Sequence, residues 1–304
     1  MFKYLIAAFK ILVFGVTLQI ASSTSLLAQV KAIKVEKTIV KQLEVNEKTN
    51  LVIRANKADV NFITTSNETL TITAVLSSKH KDKQIAEEEL SMQRMNVSQK
   101  GNFISVVNYV QIDDISSKPT SELKVIYTIE IPNKGAFNIK VINDFGKISS
   151  SNINAKLDVE SKFCVTQVTN HTGEIELNDD FGTVLLREVN GELDLKTSRT
   201  ELTIENHKGD FTIRSNFSKL FLENSTPTVS SSINDKHSEI TIFQRCFSCF
   251  QYPFALEKSE FSFPEGTNVN YDVQTDTKVQ GLIHPEKSKP IINITSVSGI
   301  VTLK

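Results

Sequence analysis

Three cysteines in 304 residues, an odd number, are too few for a disulfide framework. Positive charge is not in surplus either. The 34 lysines and arginines face 35 aspartates and glutamates, and no basic cluster with interleaved aromatics occurs, which argues against nucleic acid as a partner. The GxSxG nucleophile turn, the HExxH zinc helix and the glycine-rich phosphate loop are all missing, so neither an enzyme nor a cofactor is expected. Beyond residue 28 no stretch is apolar enough to cross a membrane.

Glycine is also scarce, with 11 in the chain, yet Gly146, Gly173, Gly182, Gly191 and Gly209 stand in one register of nine. The empty slots of that register hold small residues: Ala155, Cys164, Thr200, Ser218 and Pro227. Two and four positions after the slots come apolar residues, as in Ile175 and Leu177, Leu193 and Leu195, Phe211 and Ile213, and Val229 followed by Ser231 closes the series. Three positions before the slots stand mostly short polar residues such as Asn143, Asn152, Asn170, Asp179 and Asn206, suited to closing a turn before the small residue bends. Each unit therefore predicts one short strand with a single apolar face. Phe145, Phe163, Phe181, Arg199 and Phe217 precede alternate slots, so the coil is eighteen residues made of two unequal halves.

Such strands cannot bury one face alone. Stacking puts Leu193 over Ile175 and Leu195 over Leu177, with a spacing of ~4.8 Å, and predicts an all-β parallel β-solenoid with the phenylalanines in a ladder at one corner. Strands are expected at Lys147–Ser151, Val165–Thr169, Thr183–Arg187, Glu201–Glu205 and Lys219–Glu223, stacked as one sheet, with the other half-coils forming a second.

Residues 1–28 carry Lys3 and Lys10, the apolar run Ile11 to Ile20, and a small, polar stretch ending in Leu26-Leu27-Ala28, the pattern of a secretory signal cut before Gln29. Its removal moves the net charge from −1 to −3 and implies an exported protein in the periplasm, on the outer surface or secreted. Residues 29–140 read as a strand-rich part with one amphipathic helix near 83–97, residues 141–235 as the regular solenoid, and residues 236–304 as irregular coils and a cap punctuated by Pro253, Pro264, Pro285 and Pro290. The helix is expected to cover an end or face of the stack.

Ala58-Asp59-Val60-Asn61-Phe62, the acidic helix, Tyr127-Thr128-Ile129-Glu130-Ile131-Pro132, the Gly-x-apolar repeats and the closing Ser298-Gly299-Ile300-Val301-Thr302-Leu303 follow one another in an order similar to the bacterial putative-adhesin family of β-strand repeats. The resemblance covers most of the exported chain. It implies a β-solenoid, an envelope location and no catalytic motif. Cys164 and Thr200 stand where that family usually has glycine, which leaves the turn at those coils open.

Other short motifs weigh little. Asp144-Phe145-Gly146 and Asp180-Phe181-Gly182 match a kinase triplet without its lysine strand or catalytic loop, and read as repeat turns. Cys246 and Cys249 have redox spacing but no βαβ setting, so they read as a structural pair or as two free buried thiols, and they supply too few ligands for zinc. His171 and His207 share a turn position, but two coils separate them by nearly ~10 Å, too far for one metal.

The repeat touches chemistry at one place. Glu174, Glu192 and Asp210 follow their slots, and Asp158, Glu176 and Asp194 stand two positions further on in their units, so two columns of carboxylates run side by side. Exposed charges at that spacing repel by under ~1 kcal/mol in water, so a solvated surface suffices to explain them, with Lys156, Lys196 and Arg214 as neutralisers. The functional alternative is a weak site for a divalent cation or a basic partner. The function expected is a non-catalytic envelope scaffold, adhesin-like, binding a surface protein or glycan. A polysaccharide-active β-helix enzyme and an envelope sensing module are the alternatives.

Overall fold

The computed structural model describes residues 32–45, 48–112, 118–285 and 288–304; the signal segment and its apolar run lie outside them. The chain is all-β with one helix among the described residues. Its strands form where apolar and polar residues alternate. In Leu193–Ser198 the side chains of Leu193, Leu195 and Thr197 are buried while Asp194 and Lys196 are exposed.

Through the middle of the chain, residues eighteen apart are parallel ladder partners. Ile175 pairs with Leu157 on one side and Leu193 on the other, and Leu177 with Val159 and Leu195. In the companion half-coils Thr183 pairs with Val165 and Glu201, and Glu201 with Lys219. Stacking makes a continuous core: Ile175 and Leu195 are fully buried, and Leu177 and Leu193 nearly so.

The register of eighteen stops earlier than the repeat suggests. Thr212 pairs with Ser232 and Lys219 with Glu239, a step of twenty. The core positions above Phe211 and Ile213 are therefore Ser231 and Ile233, and Val229 is 67% exposed. The cause is local. The Asp210 carboxylate accepts from the backbone N–H groups of Thr228 (2.8 Å) and Val229 (2.9 Å), which holds the two extra residues outside the stack.

The sheet as a whole is mixed, which corrects the expectation of parallel strands throughout. Antiparallel pairs lie towards both ends. Ile33–Glu44 pairs with Thr69–His80, which pairs with Glu122–Pro132, and Gln93–Lys100 pairs with Phe103–Val110. At the other end Lys278–Ile283 pairs with both Tyr252–Glu257 and Val269–Gln274. Short turns join Gln93–Lys100 to Phe103–Val110 and Val269–Gln274 to Lys278–Ile283 and allow only antiparallel pairing there, whereas the other antiparallel pairs join strands distant in the chain.

Space does not follow sequence at the ends. Lys48–Asn56 lies between Ala136–Ser151 and Phe103–Val110, and Ala58–Thr65 between Ala136–Ser151 and Glu122–Pro132. Likewise Ile291–Val297 and Ile300–Leu303 are inserted between Ser230–Phe243 and the later-stacked Tyr252–Ser262.

The helix covers Lys83–Met92, shorter than 83–97, because Gln93 turns extended and opens the strand that pairs with Phe103–Val110. Asp82 caps it by accepting from the N–H groups of Gln84 and Ile85. It packs on Ile33–Glu44 and Thr69–His80. The outer strand Ile33–Glu44 carries Lys34, Lys37 and Lys41, charges that discourage pairing with another chain.

Polar residues line both corners. His171 and His207 are buried at one corner, in a column with Val189 between them, and burial holds both below the usual histidine range. At the other corner burial pushes the Asp179 carboxyl up, against hydrogen bonds from Ser161 Oγ (2.5 Å) and Thr200 Oγ1 (2.7 Å). Cys164 and Thr200 fill their glycine-like slots as buried residues of this corner. Cys246 and Cys249 form a disulfide with both residues exposed, and Cys164 is free.

Removing buried methylenes at the stack centre leaves a cavity, so Leu195→Ala is expected to lower unfolding free energy by ~2 to 5 kcal/mol in urea titrations. A histidine whose folded pKa is depressed takes up its proton first in the unfolded chain. Stability from His171 and His207 is therefore full above pH ~6.5 and declines as pH falls below it. The raised carboxyl of Asp179 acts in the opposite sense, nearer the carboxylate range. His171→Val, which copies Val189 of the same column, should flatten the loss of melting temperature between pH ~7.5 and ~5.

Candidate functional site

The carboxylate face is assembled where the repeat puts it, but most of it is already engaged. Glu176 pairs with Asp158 and Asp194, and Glu174 precedes Ile175 at the start of the same strand. Lys156 Nζ donates to Glu174 (3.0 Å) and Glu176 (2.6 Å), and the neighbouring Lys140 donates to Asp158 (2.8 Å) and Glu160 (2.5 Å). The Lys156 bond holds the Glu176 carboxyl below the usual range, and the bonds to Glu176 and Glu174 raise Lys156. Arg214 donates to Asp194. Asp210 holds the two-residue insertion, and with Glu192 and Lys208 it lines an open cavity of about 610 Å³. No three metal-ligating side chains gather among the described residues. The face is a network of exposed ion pairs, each worth little in water.

The corner carrying the phenylalanines is different. Each coil turns there on one residue in the left-handed region: Lys57, Phe145, Phe163, Phe181, Arg199, Phe217, His237, Ser298 and Lys258 have φ of 50–60°. At the opposite corner that conformation falls on Asn152, Asn170, Glu188, Asn206 and Asn224, φ 50–58°. Left-handed backbone falls on a residue before the slot, and the slot glycines Gly173, Gly191 and Gly209 are themselves at positive φ, 123–155°. The slot is also small for lack of room: a Cβ on Gly173 would lie 2.3 Å from the carbonyl oxygen of Ala155 in the next coil.

Asparagine tolerates the left-handed region, whereas a bulky side chain there costs ~1–2 kcal/mol. Phenylalanine at this corner is therefore kept for its ring. Phe145 and Phe163 stack at 5.0 Å with planes 3° apart, and Phe163 and Phe181 at 4.9 Å and 9°. The Arg199 guanidinium lies 5.1 Å from the Phe181 ring and 5.6 Å from that of Phe217, a cation between two π faces. Phe217 stacks on His237 at 4.7 Å. The rings are not covered: Phe145 and Phe163 are each 50% exposed, Phe181 42% and Phe217 52%. Since each ring's face meets the next ring, solvent meets their edges.

Four members of this column, Lys57, His237, Ser298 and Lys258, lie outside the five residues of the sequence pattern. Lys57 is the rung next to Phe145, its N–H donating to the Asp144 carbonyl (2.8 Å), and its signal was the small residue Ala58 that follows it. His237 was displaced from register by the two inserted residues. Beyond Lys57 lies a cavity of about 350 Å³ lined by Asn56, Asn108, Tyr109, Val110, Leu123, Lys124 and Val125.

No known family profile and no curated protein matches the sequence. Among solved structures, a "putative cell adhesion protein" from Clostridium sporogenes is 12% identical, with 89% of this chain and 99% of that chain covered and a TM-score of 0.25. A "putative lipid binding protein" from Parabacteroides distasonis is 9% identical over 88% and 96%, with a TM-score of 0.43. A "putative adhesin" from the same organism is 10% identical over 88% and 97%, at 0.37. At these identities and scores the likeness carries no argument about function.

Phe163 takes part in two ring pairs, each worth ~0.5–1.5 kcal/mol beyond burial, so Phe163→Ala should destabilise by ~1–3 kcal/mol. Phe163→Asn should cost less, because asparagine relieves the left-handed backbone. Equal losses in chemical denaturation would show that backbone strain plays no part.

Proposed function

We propose that the chain is a non-catalytic parallel β-solenoid scaffold of the cell envelope, exported after loss of its first 28 residues, which presents the ladder corner as a binding edge in an adhesin-like role. The observation that carries the reading is the half-exposed column of Phe145, Phe163, Phe181 and Phe217, held in backbone conformations that asparagine would adopt at lower cost. The ion-paired state of the acidic face, with Lys156 and Lys140 bonded to Asp158, Glu174 and Glu176, supports reading that face as scaffold surface.

Fractionation and external protease treatment of producing cells test the location: digestion on intact cells or recovery in the periplasm is expected, and retention in the cytoplasm would refute it. Binding of the exported chain to isolated cell envelopes tests the edge. The double variant Phe163→Asn, Phe181→Asn, checked for an intact fold, is expected to lose most of that binding.

A further inference from the structure

We propose that the ladder corner and the cavity at its end bind a single-chain amphiphile with an anionic head, the head at Lys57 and the tail along Phe145, Phe163 and Phe181. This rests on the ladder being a binding edge and names what that edge takes.

The ring geometry decides against the other partner classes. A sugar stacks on an open aromatic face, and here the faces are covered by neighbouring rings at 4.9–5.0 Å with planes 3–9° apart. A protein interface needs about 800 Å² from each partner. Three half-exposed phenylalanines offer on the order of 300 Å², in a column one ring wide. An extended hydrocarbon chain matches a narrow, straight apolar track and asks for no directional contact.

Charge sets the ends of the track. Lys57 closes it on one side and Arg199 on the other, four steps apart or ~19 Å. Neither forms an ion pair among the described residues, in contrast to Lys124, which lies 2.7 Å from Asp59. The two cations are not equivalent. Arg199 is held between two rings, while the exposed Lys57 lines the 350 Å³ cavity together with Lys124, apolar Val110 and Leu123, and Asn108, whose side chain is bonded to the Asn56 backbone. That cavity has room for a carboxylate or a phosphate-bearing head. A free fatty acid and a single-chain phospholipid share the required chemistry.

Equilibrium dialysis of the exported chain, residues 29–304, against palmitate, hexadecanol and acetate tests the site. Saturable binding of palmitate is expected, about tenfold or more weaker for hexadecanol, with none for acetate. Lys57→Gln should weaken palmitate about tenfold while leaving hexadecanol unchanged. Phe163→Asn should weaken both, with thermal unfolding showing each variant folded. Equal affinity for palmitate and the alcohol, or no effect of Lys57→Gln, would overturn the head assignment. Sedimentation with anionic vesicles without binding of palmitate would replace the site by a membrane surface and overturn the proposal. If palmitate fails to bind but Phe163→Asn, Phe181→Asn still abolishes envelope binding, the amphiphile falls and the scaffold reading stands; if envelope binding is also unaffected, both fall.

Discussion

The close approach of one coil to the next governs this molecule. Parallel strands share their hydrogen bonds only if every coil turns its corners at the same height, and each corner turns on a left-handed residue followed, directly or after two more, by a small one that at Gly173, Gly191 and Gly209 is itself at positive φ. Where a Cβ would strike the neighbouring carbonyl, as at Gly173, the slot is glycine. Where the slot faces the interior of the ladder corner it can be Cys164, Thr200 or Ser218, and their polar atoms then meet buried partners such as Asp179 and Asn143. The core follows from that spacing, since Leu195 can lie between Leu177 and Ile213 only when all three coils keep step.

The same constraint explains what could be read from the residues and what could not. Steric rules act within a unit, so small slots, alternating apolar positions and the ladder of Phe145, Phe163 and Phe181 are all visible in one dimension. The two-residue insertion is not, because Pro227 occupies a plausible slot and Val229 a plausible core position. It takes the carboxylate of Asp210, a coil away, to hold Thr228 and Val229 outside the stack. Pairings over long separations, such as Ser230 with Ile291, leave no periodic trace. The antiparallel ends were hidden for the same reason: Thr69–His80 alternates much as a solenoid strand does, and only its partner fixes its direction.

The site divides in the same way. The six carboxylates stand where the repeat predicts, but the pairing of Asp158, Glu174 and Glu176 with Lys140 and Lys156, and of Asp194 with Arg214, depends on side chains reaching across coils, which position alone does not reveal. For the ladder, exposure was the open quantity. A ring at a corner can turn in or out with the same period, and the half-exposed rings here turn out.

The order of the coils in space also bears on how the chain is completed as it is made. Central coils can be laid down one upon another as they emerge, each finding its neighbour eighteen residues back. Lys48–Thr65 cannot be enclosed until Phe103–Pro132 and Ala136–Ser151 have both been synthesised, and Tyr252–Ser262 must wait for the last strands, Ile291–Val297 and Ile300–Leu303, to slide in beneath it. Ile291–Val297 and Ile300–Leu303 therefore act as a bolt: without them Tyr252–Glu257 and Glu260–Ser262 would lose their only parallel neighbours among the described residues, and the middle of the stack would end on an open sheet edge.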